Sequence, residues 1–172
     1  MGDKQEEILE LTEKLVEFKS TNDNLEEISN CLDFIQEYFS GPEFEVRRHE
    51  KNDIPSMVVT FGHDDPDLML HGHIDVIEAP DEMFETNVED GKLYGRGTAD
   101  MKAGVAALMV AMKDLKDEKP KVGLMIVSDE EKGGFNGAGD LFSEKYSLKF
   151  AISAEPNNID GYLDILTDQK GI

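Results

Sequence analysis

The spacing of apolar positions changes several times along this 172-residue chain. Apolar side chains three and four residues apart predict amphipathic helices over residues 4–18 and 25–39. A stretch that is apolar on nearly all sides predicts a buried helix from Met101 to Leu115. A fourth, shorter helix is expected over Ala138 to Lys145.

Shorter segments with alternating or continuous apolar positions predict strands between these helices. The predicted strands are 44–48, 57–61, 68–70, 122–127, 150–153 and 162–166, with a hairpin over 86–94. A further strand is expected to begin at Lys170 to Ile172, where the sequence stops. Because strands alternate with helices, we predict a layered α/β fold in one domain.

The net charge of the chain limits the classes of partner that it is expected to bind. Its net charge of -21 excludes nucleic acid as an expected partner, because phosphate binding needs clustered Lys and Arg. It also argues against an anionic membrane surface, and no apolar run approaches the roughly 20 residues of a membrane span. The single cysteine, Cys31, rules out an internal disulfide and favours a reducing, cytoplasmic location. Its place in a helical apolar pattern predicts a buried packing residue.

Candidate chemistry lies where predicted strands end and where the buried helix begins. His73 and Asp75 follow an apolar strand, and their spacing puts both side chains on one face of an extended chain. Asp100 follows a Gly-rich turn before the buried helix, and the run Asp129–Glu131 and the residue Glu155 follow two other strands. Strand ends and helix starts converge at one edge of an α/β sheet, so these residues can form one site.

One imidazole and several carboxylates make a ligand set suited to zinc, cobalt or manganese. If the chain is extended at Glu130 and Glu131, the two side chains point opposite ways, so that one binds metal while the other serves as a general base. Each feature also has a simpler interpretation. A lone His-x-Asp pair is a weak signal, an acidic run is commonly a solvated cap, and Glu155 before a proline fits an ordinary loop. The occurrence of all four features in order favours metal binding.

Four sequence motifs resemble those of metallopeptidase family M20, the acetylornithine deacetylase, succinyl-diaminopimelate desuccinylase, aminoacylase and glutamate carboxypeptidase type. The motifs are His71-Gly72-His73-Ile74-Asp75, Asp90 through Lys102 (DGKLYGRGTADMK), Asp129 through Gly134 (DEEKGG) and Ser153-Ala154-Glu155-Pro156. The resemblance implies a three-layer α/β/α zinc-exopeptidase-like domain with a mixed sheet. It also implies a metal-dependent hydrolase of amide bonds in N-acyl amino acids or small peptides.

The resemblance further implies two divalent metals in the intact enzyme, zinc in preference to cobalt or manganese. His73 and Glu155 bind the first metal in this assignment, Asp100 bridges both, and Glu131 binds the second. The family pattern assigns His71 no contact with metal.

Two catalytic roles follow from the same resemblance. Asp75 orients the metal-binding imidazole, and Glu130 takes a proton from the attacking water and passes it to the leaving amine. The metals polarise the scissile carbonyl and stabilise the developing negative charge on its oxygen.

Members of that family are about twice as long as this chain. A further His ligand, a C-terminal catalytic segment and a lid domain, through which the intact enzyme is expected to form a homodimer, have no counterpart here. We therefore expect residues 1–172 to be the N-terminal part of the catalytic domain, a fold incomplete at its C-terminus. Such a fragment is expected to bind one metal or none and to hydrolyse amides weakly or not at all. The alternative is a non-catalytic metal-binding or interaction module built on the same scaffold.

Overall fold

A computed structural model describes residues 2–156 and, as backbone, residues 164–167 of the chain. Its helices are α1 (Gly2–Glu17), α2 (Leu25–Tyr38), α3 (Ala103–Asp114) and the short α4 (Ala138–Asp140), which continues into a wider helical turn over Leu141–Lys145. Its strands are β1 (Glu45–Lys51), β2 (Ile54–Thr60), β3 (Leu68–His73), β4 (Asn87–Glu89), β5 (Lys92–Tyr94), β6 (Val122–Val127), β7 (Phe150–Ser153) and β8 (Asp164–Thr167). Each helix and strand expected from the pattern in these ranges is present, and the predicted α/β class is confirmed.

The main sheet has six strands in the order β1-β2-β6-β3-β7-β8. Its centre is parallel, because β3 pairs in parallel with β6 on one side and with β7 on the other. Its margins are antiparallel, at the pairs β1–β2, β2–β6 and β7–β8. The sheet is therefore mixed, as expected. The strands β4 and β5 form a separate hairpin.

Two apolar clusters cover the two faces of this sheet and make three layers. The larger cluster joins α1, α2 and α3 to one face, and it includes Leu15, Leu32, Leu70 and Val105. The smaller cluster lies on the opposite face, under the segment that follows α4. Its buried members are Val58, Met69, Met125, Val127, Leu141 and Tyr146.

A glycine in the central strand allows α3 to approach the sheet closely. A Cβ atom on Gly72 would lie 2.9 Å from a methyl group of Val105 and 3.3 Å from the terminal methyl of Met101. Both distances are at or below the tightest ordinary carbon contacts. The absence of a Cβ atom at this position thus permits the contact that places the start of α3 against the end of β3.

The helix predicted from Met101 begins two residues later than expected. Residues Thr98–Lys102 form a kinked helical turn in which Asp100 and Met101 have non-helical backbone angles, and the peptide bond between them is cis. The buried helix itself starts at Ala103. This segment bends where the pattern predicts a continuous helix, because apolar spacing reports burial and not backbone geometry.

Cys31 is fully buried in the larger cluster, as its helical position predicted. In the described ranges, no helix is long and apolar enough to cross a membrane. The first two residues of the strand expected at Tyr162, and the strand expected from Lys170, lie outside the described residues.

Candidate metal centre

The candidate site forms at the carboxyl ends of the three parallel central strands. β3 ends at His73, β6 is followed by Asp129 to Glu131, and β7 is followed closely by Glu155. Because β3 lies between β6 and β7 and all three run in the same direction, their carboxyl ends meet at one edge of the sheet. That edge is where open α/β sheets bind ligands.

The imidazole of His73 lies at the centre of this edge and is fully buried. Its Nε2 atom is 3.1 Å from Oδ1 of Asp100, 3.8 Å from Oε2 of Glu130 and 3.8 Å from Oε1 of Glu155. Ligand atoms of His73, Asp100 and Glu155 all lie within 4.8 Å of one another. One nitrogen and two carboxylate oxygens are thus close enough to bind a single ion.

The other ring nitrogen of His73 faces Asp75. Its Nδ1 atom is 2.9 Å from the main-chain oxygen of Asp75 and 3.4 Å from the carboxylate Oδ1 of the same residue. The second carboxylate oxygen of Asp75 accepts a hydrogen bond of 2.9 Å from the backbone N–H of Glu131. Asp75 is fully buried, and its hydrogen bond with Glu131 connects the end of β3 to the turn after β6.

The charge around His73 favours a cation. Burial by itself lowers the pKa of this imidazole, but its hydrogen bond and charge contacts with Asp75, and then the charge of Glu155 and the hydrogen bond with Asp100, outweigh that loss. The net result raises the pKa of His73 to about 9. The surroundings therefore stabilise positive charge at the position of the imidazole.

Two of the carboxyl groups have pKa values above the ordinary range for glutamate. Burial, followed by the negative charges of Glu130 and Asp100, raises the pKa of Glu155 to about 7 against the opposing effect of His73. Burial also raises the pKa of Glu131, helped by the nearby carboxylates. Carboxylates this close to one another repel, and a divalent cation bound between them removes the repulsion. The donor set therefore fits a divalent metal ion such as zinc.

The acidic run after β6 is not extended, contrary to the expectation for its two glutamates. Residues Glu130–Lys132 form a single 3₁₀ turn that ends at Gly133, whose φ of 98° suits glycine. The opposite orientation inferred for Glu130 and Glu131 applies only to an extended chain, and this turn does not meet that condition. The turn forms because Gly133 N–H bonds to Glu130 O at 2.7 Å, which closes the backbone on itself.

Asp129 has a structural role that the sequence pattern did not reveal. Its side chain is buried, and its two oxygens accept hydrogen bonds from the backbone N–H groups of Asn136 at 2.8 Å and Gly137 at 3.0 Å. It thereby closes the Gly-rich loop that follows the two glutamates. An acidic residue followed by a Gly-rich stretch was the available signal, but it equally fits a solvated cap.

His71 lies on the same strand as His73 but outside the ligand group. Its Nδ1 atom is 3.1 Å from the hydroxyl oxygen of Ser153, and its Nε2 atom is buried without a hydrogen-bond partner among the described residues. Burial, and then the charge of His73, lowers the pKa of His71 to about 4. The ring is therefore neutral near pH 7. Its contacts are a strand neighbour and, at 5.9 Å between ring centres, Phe142.

The described residues also include a buried cation that sequence reasoning missed. The side chain of Lys102 is fully buried, and its ammonium donates hydrogen bonds of 2.9 Å to the main-chain oxygens of Leu15 and Phe18. Burial lowers its pKa to about 8. A single charged residue at the start of an otherwise apolar helix was the signal, since such a residue is buried along with its neighbours.

Comparison with known proteins identifies the family. Residues 69–171 match the model of peptidase family M20/M25/M40. The matched range makes up more than half of the chain. The chain belongs to this family. The matched range includes β3 from Met69 onward, the Asp100 turn, the turn after β6 and Glu155, and the family resemblance expected from the four motifs is confirmed.

The relatives include succinyl-diaminopimelate desuccinylases from bacteria. The protein from Nautilia profundicola is 33% identical over 159 residues, which cover 87% of this chain and 42% of the relative. The protein from Hydrogenovibrio crunogenus is 33% identical over 171 residues, which cover 88% of this chain and 43% of the relative. The chain thus spans less than half the length of these relatives.

Solved structures share the fold. A tripeptidase from Staphylococcus aureus superposes with a TM-score of 0.64 at 24% identity, covering 88% of this chain and 43% of that protein. The aminopeptidase PepT from Bacillus cereus gives a TM-score of 0.64 at 21% identity, covering 87% of this chain and 43% of that protein. At these identities the likeness concerns the fold alone.

Proposed function

We propose that this protein contributes the metal-binding half of the catalytic domain of a hydrolase that cleaves amide bonds in N-acyl amino acids or small peptides. The observation that carries the proposal is the position of His73, Asp100 and Glu155, whose ligand atoms lie within 4.8 Å of one another at the edge of the sheet. Family membership supports the reaction class. The named relatives are succinyl-diaminopimelate desuccinylases, and the named structural neighbours are peptidases.

We assign the ligands by role. His73 and Glu155 would hold a first divalent metal, Asp100 would contribute an oxygen to both metal sites, and Glu131 would hold the second ion. Zinc fits this mixed nitrogen and oxygen set, as do cobalt and manganese. When bound, such metals act as Lewis acids toward the substrate carbonyl and lower the pKa of water.

The chain's own residues supply proton transfer and orientation. Glu130 is partly exposed, with Oε2 3.8 Å from the ring of His73, so its carboxylate can take a proton at the site and release it to a leaving amine. Asp75 contacts Nδ1 of His73, which leaves Nε2 directed toward the other ligands. The crowded acids favour substrates whose reacting group is a neutral amide.

The decisive experiment measures metal binding and turnover separately in the intact protein that carries this sequence. Calorimetric titration with Zn²⁺ should show binding to the wild type and its loss in His73→Ala. With metal added, Glu130→Gln should keep metal binding but lose about 10²- to 10⁴-fold in kcat on acylated amino acids or dipeptides. The matched control is Glu118→Gln, an exposed glutamate between α3 and β6, which should match the wild type in both measurements.

Two results would contradict this assignment. Equal zinc binding by the wild type and His73→Ala would remove the proposed metal centre. Intact protein that binds metal at this site and cleaves no amide in the panel would instead support a non-catalytic metal-binding module.

A further inference from the structure

The connector between α1 and α2 contacts all three loops of the candidate metal centre. This connector, residues 18–24, lies outside the range that matches the family model, which begins at residue 69. It bears none of the proposed ligands. Its contacts nonetheless fall on the residues after β3, on the turn that bears Asp100 and on the turn after β6.

The first set of contacts fixes the Asp100 turn. Lys102 is the last residue of that turn, and its ammonium bonds to the main-chain oxygens of Leu15 and Phe18 at the end of α1. The last carbonyls of a helix lack partners within the helix and carry partial negative charge. A buried ammonium satisfies these carbonyls and is itself stabilised there.

The second set of contacts fixes the end of β3. Ser20 is fully buried, and its hydroxyl donates a hydrogen bond of 2.6 Å to the main-chain oxygen of Ile74. The N–H of Val76 donates to Ser20 O at 3.1 Å, and Thr21 pairs with Val76 as an isolated parallel bridge. The segment that contains Asp75 is therefore bonded to the connector on both sides.

The Asp100 turn and the residues after β3 also pack directly against each other beside this connector. A Cβ atom on Gly97 would lie 2.5 Å from a methyl group of Val76 and 3.3 Å from the Cδ atom of Lys102. The third loop makes a more exposed contact, an ion pair of 2.8 Å between Lys132 and Asp23. The buried contacts of Lys102 and Ser20 thus hold the two loops whose relative position sets the distance from His73 to Asp100.

We propose that Lys102 is a positioning residue of the metal centre, which fixes Asp100 relative to His73 by bonding the Asp100 turn to the end of α1. This inference rests on the proposed function, since it requires His73 and Asp100 to bind metal. A purely structural Lys102 would affect folding and leave the geometry of the bound ion unchanged.

The test uses Co²⁺, whose visible absorption reports the geometry of its ligands, in the intact protein. The variants are Lys102→Met, which keeps an unbranched side chain as far as the Cε position and removes the ammonium, and Thr60→Ala as a matched control. Thr60 is a buried residue of β2 whose hydroxyl accepts a bond of 3.2 Å from Gly62 N–H, and it pairs with Gly123 near the start of β6, at the end of that strand away from the site. Urea unfolding of each metal-free variant gives its stability independently.

Lys102→Met should weaken Co²⁺ binding by about tenfold or more and shift the absorption bands of the bound ion, as loss of outer supports does in other metal sites. Thr60→Ala should lose stability while its Co²⁺ dissociation constant and spectrum stay at wild-type values. Folded Lys102→Met with the wild-type dissociation constant and spectrum would overturn the inference.

If Lys102→Met does not fold, Lys102→Gln decides, because its shorter amide side chain removes the ammonium and still leaves a polar group in the buried space. Weaker Co²⁺ binding with altered bands then supports positioning by Lys102, and wild-type binding with the wild-type spectrum overturns it. Wild-type protein that binds no Co²⁺ would overturn the proposed function and this inference together. Wild-type binding that depends on His73 but not on Lys102 would overturn this inference alone.

Discussion

At the scale of single residues, the protonation of the buried groups in the site depends on which side chains surround each of them. His73 and His71 are two positions apart on β3, and yet their environments shift their pKa values in opposite directions. His73 is surrounded by carboxylates that stabilise its charged form. His71 has a serine hydroxyl and an aromatic ring beside it, so burial dominates and the ring stays neutral.

This difference predicts a pH dependence of stability that belongs to His71. Its pKa is about 4 in the folded protein, against about 6.5 for an unperturbed histidine, so below pH 6.5 the unfolded chain binds more protons. The free energy of unfolding contributed by this ring should therefore be fully present above pH 6.5 and fall, by up to about 3 kcal/mol, as the pH is lowered toward 4. Urea unfolding of metal-free protein between pH 7 and pH 5 measures it.

The matched comparison is with His71→Asn, whose side chain can still bond to Ser153 but does not titrate. The variant should lose less stability than the wild type over this range, since carboxylates and His73 titrate in both proteins. Leu25→Ala, which removes no titrating group from a 39% exposed position, should keep the wild-type pH profile. Parallel profiles for the wild type and His71→Asn would contradict the prediction.

At the scale of elements, α2 shows how the spacing of apolar residues determines which face of a helix is buried. Asn24 precedes the helix, and its side chain accepts a hydrogen bond of 3.3 Å from Glu27 N–H, which satisfies an N-terminal donor. The apolar positions Ile28, Leu32 and Ile35 then repeat on one face and are fully buried against β2 and the other helices. The periodicity of the sequence therefore specified both the helix and its buried face.

The difference in burial along α2 predicts that a leucine-to-alanine substitution affects stability unequally at two positions of this helix. Leu32→Ala should lower the free energy of unfolding by about 2–5 kcal/mol, because a fully buried leucine leaves a cavity when truncated. Leu25→Ala on the same helix is the control, since Leu25 is 39% exposed and should lose far less. Chemical denaturation of both variants measures the difference. Equal losses would show that the face buried in the structure does not contribute to the core.

The loops that carry the site behave differently from the helices. The Glu130–Lys132 turn and the Thr98–Lys102 turn both depart from the geometry expected of their sequences. Each is held by bonds to residues remote in the chain, such as the bond from Lys102 to Leu15, 87 residues away. Local pattern identifies such segments as breaks between elements, but it contains no information about these distant partners.

At the scale of the whole molecule, the larger core joins the N-terminal helices to the sheet that forms the site. Cys31 lies inside this core with no exposed surface. Burial raises the pKa of its thiol to about 12, so the reactive thiolate is disfavoured at neutral pH. Access to Cys31 therefore requires α2 to separate from the rest of the core.

This burial predicts that Cys31 reports global unfolding. Native protein at pH 8 should react with a disulfide reagent such as DTNB only at the rate set by opening of the core. In concentrated urea the one cysteine of the sequence should react rapidly, and the increase should follow the unfolding transition. The rate of reaction of free cysteine in the same urea concentrations is the control, because it separates the effect of urea on the reagent from the effect of unfolding on Cys31. Stoichiometric labelling of native protein within seconds would contradict the packing described here.

The order of helices and strands, the buried faces of α1 and α2, and the candidate ligands His73, Asp100 and Glu155 could all be read from the amino-acid sequence. These features depend on local periodicity, on residue chemistry and on the positions where strands end, which are properties of consecutive residues. Their convergence within 4.8 Å at one sheet edge depends on the parallel order β6-β3-β7, which an α/β pattern predicts in outline and the coordinates show in detail.

The supports of the site could not be read in the same way. The buried ammonium of Lys102, the loop closure by Asp129 and the neutral ring of His71 depend on which groups meet across long distances in sequence. A buried charge or unpaired polar atom is costly unless folding brings it a partner, and that partner has no local signature. The identity of the chemical groups is thus local information, whereas their orientation and protonation are set by the folded chain.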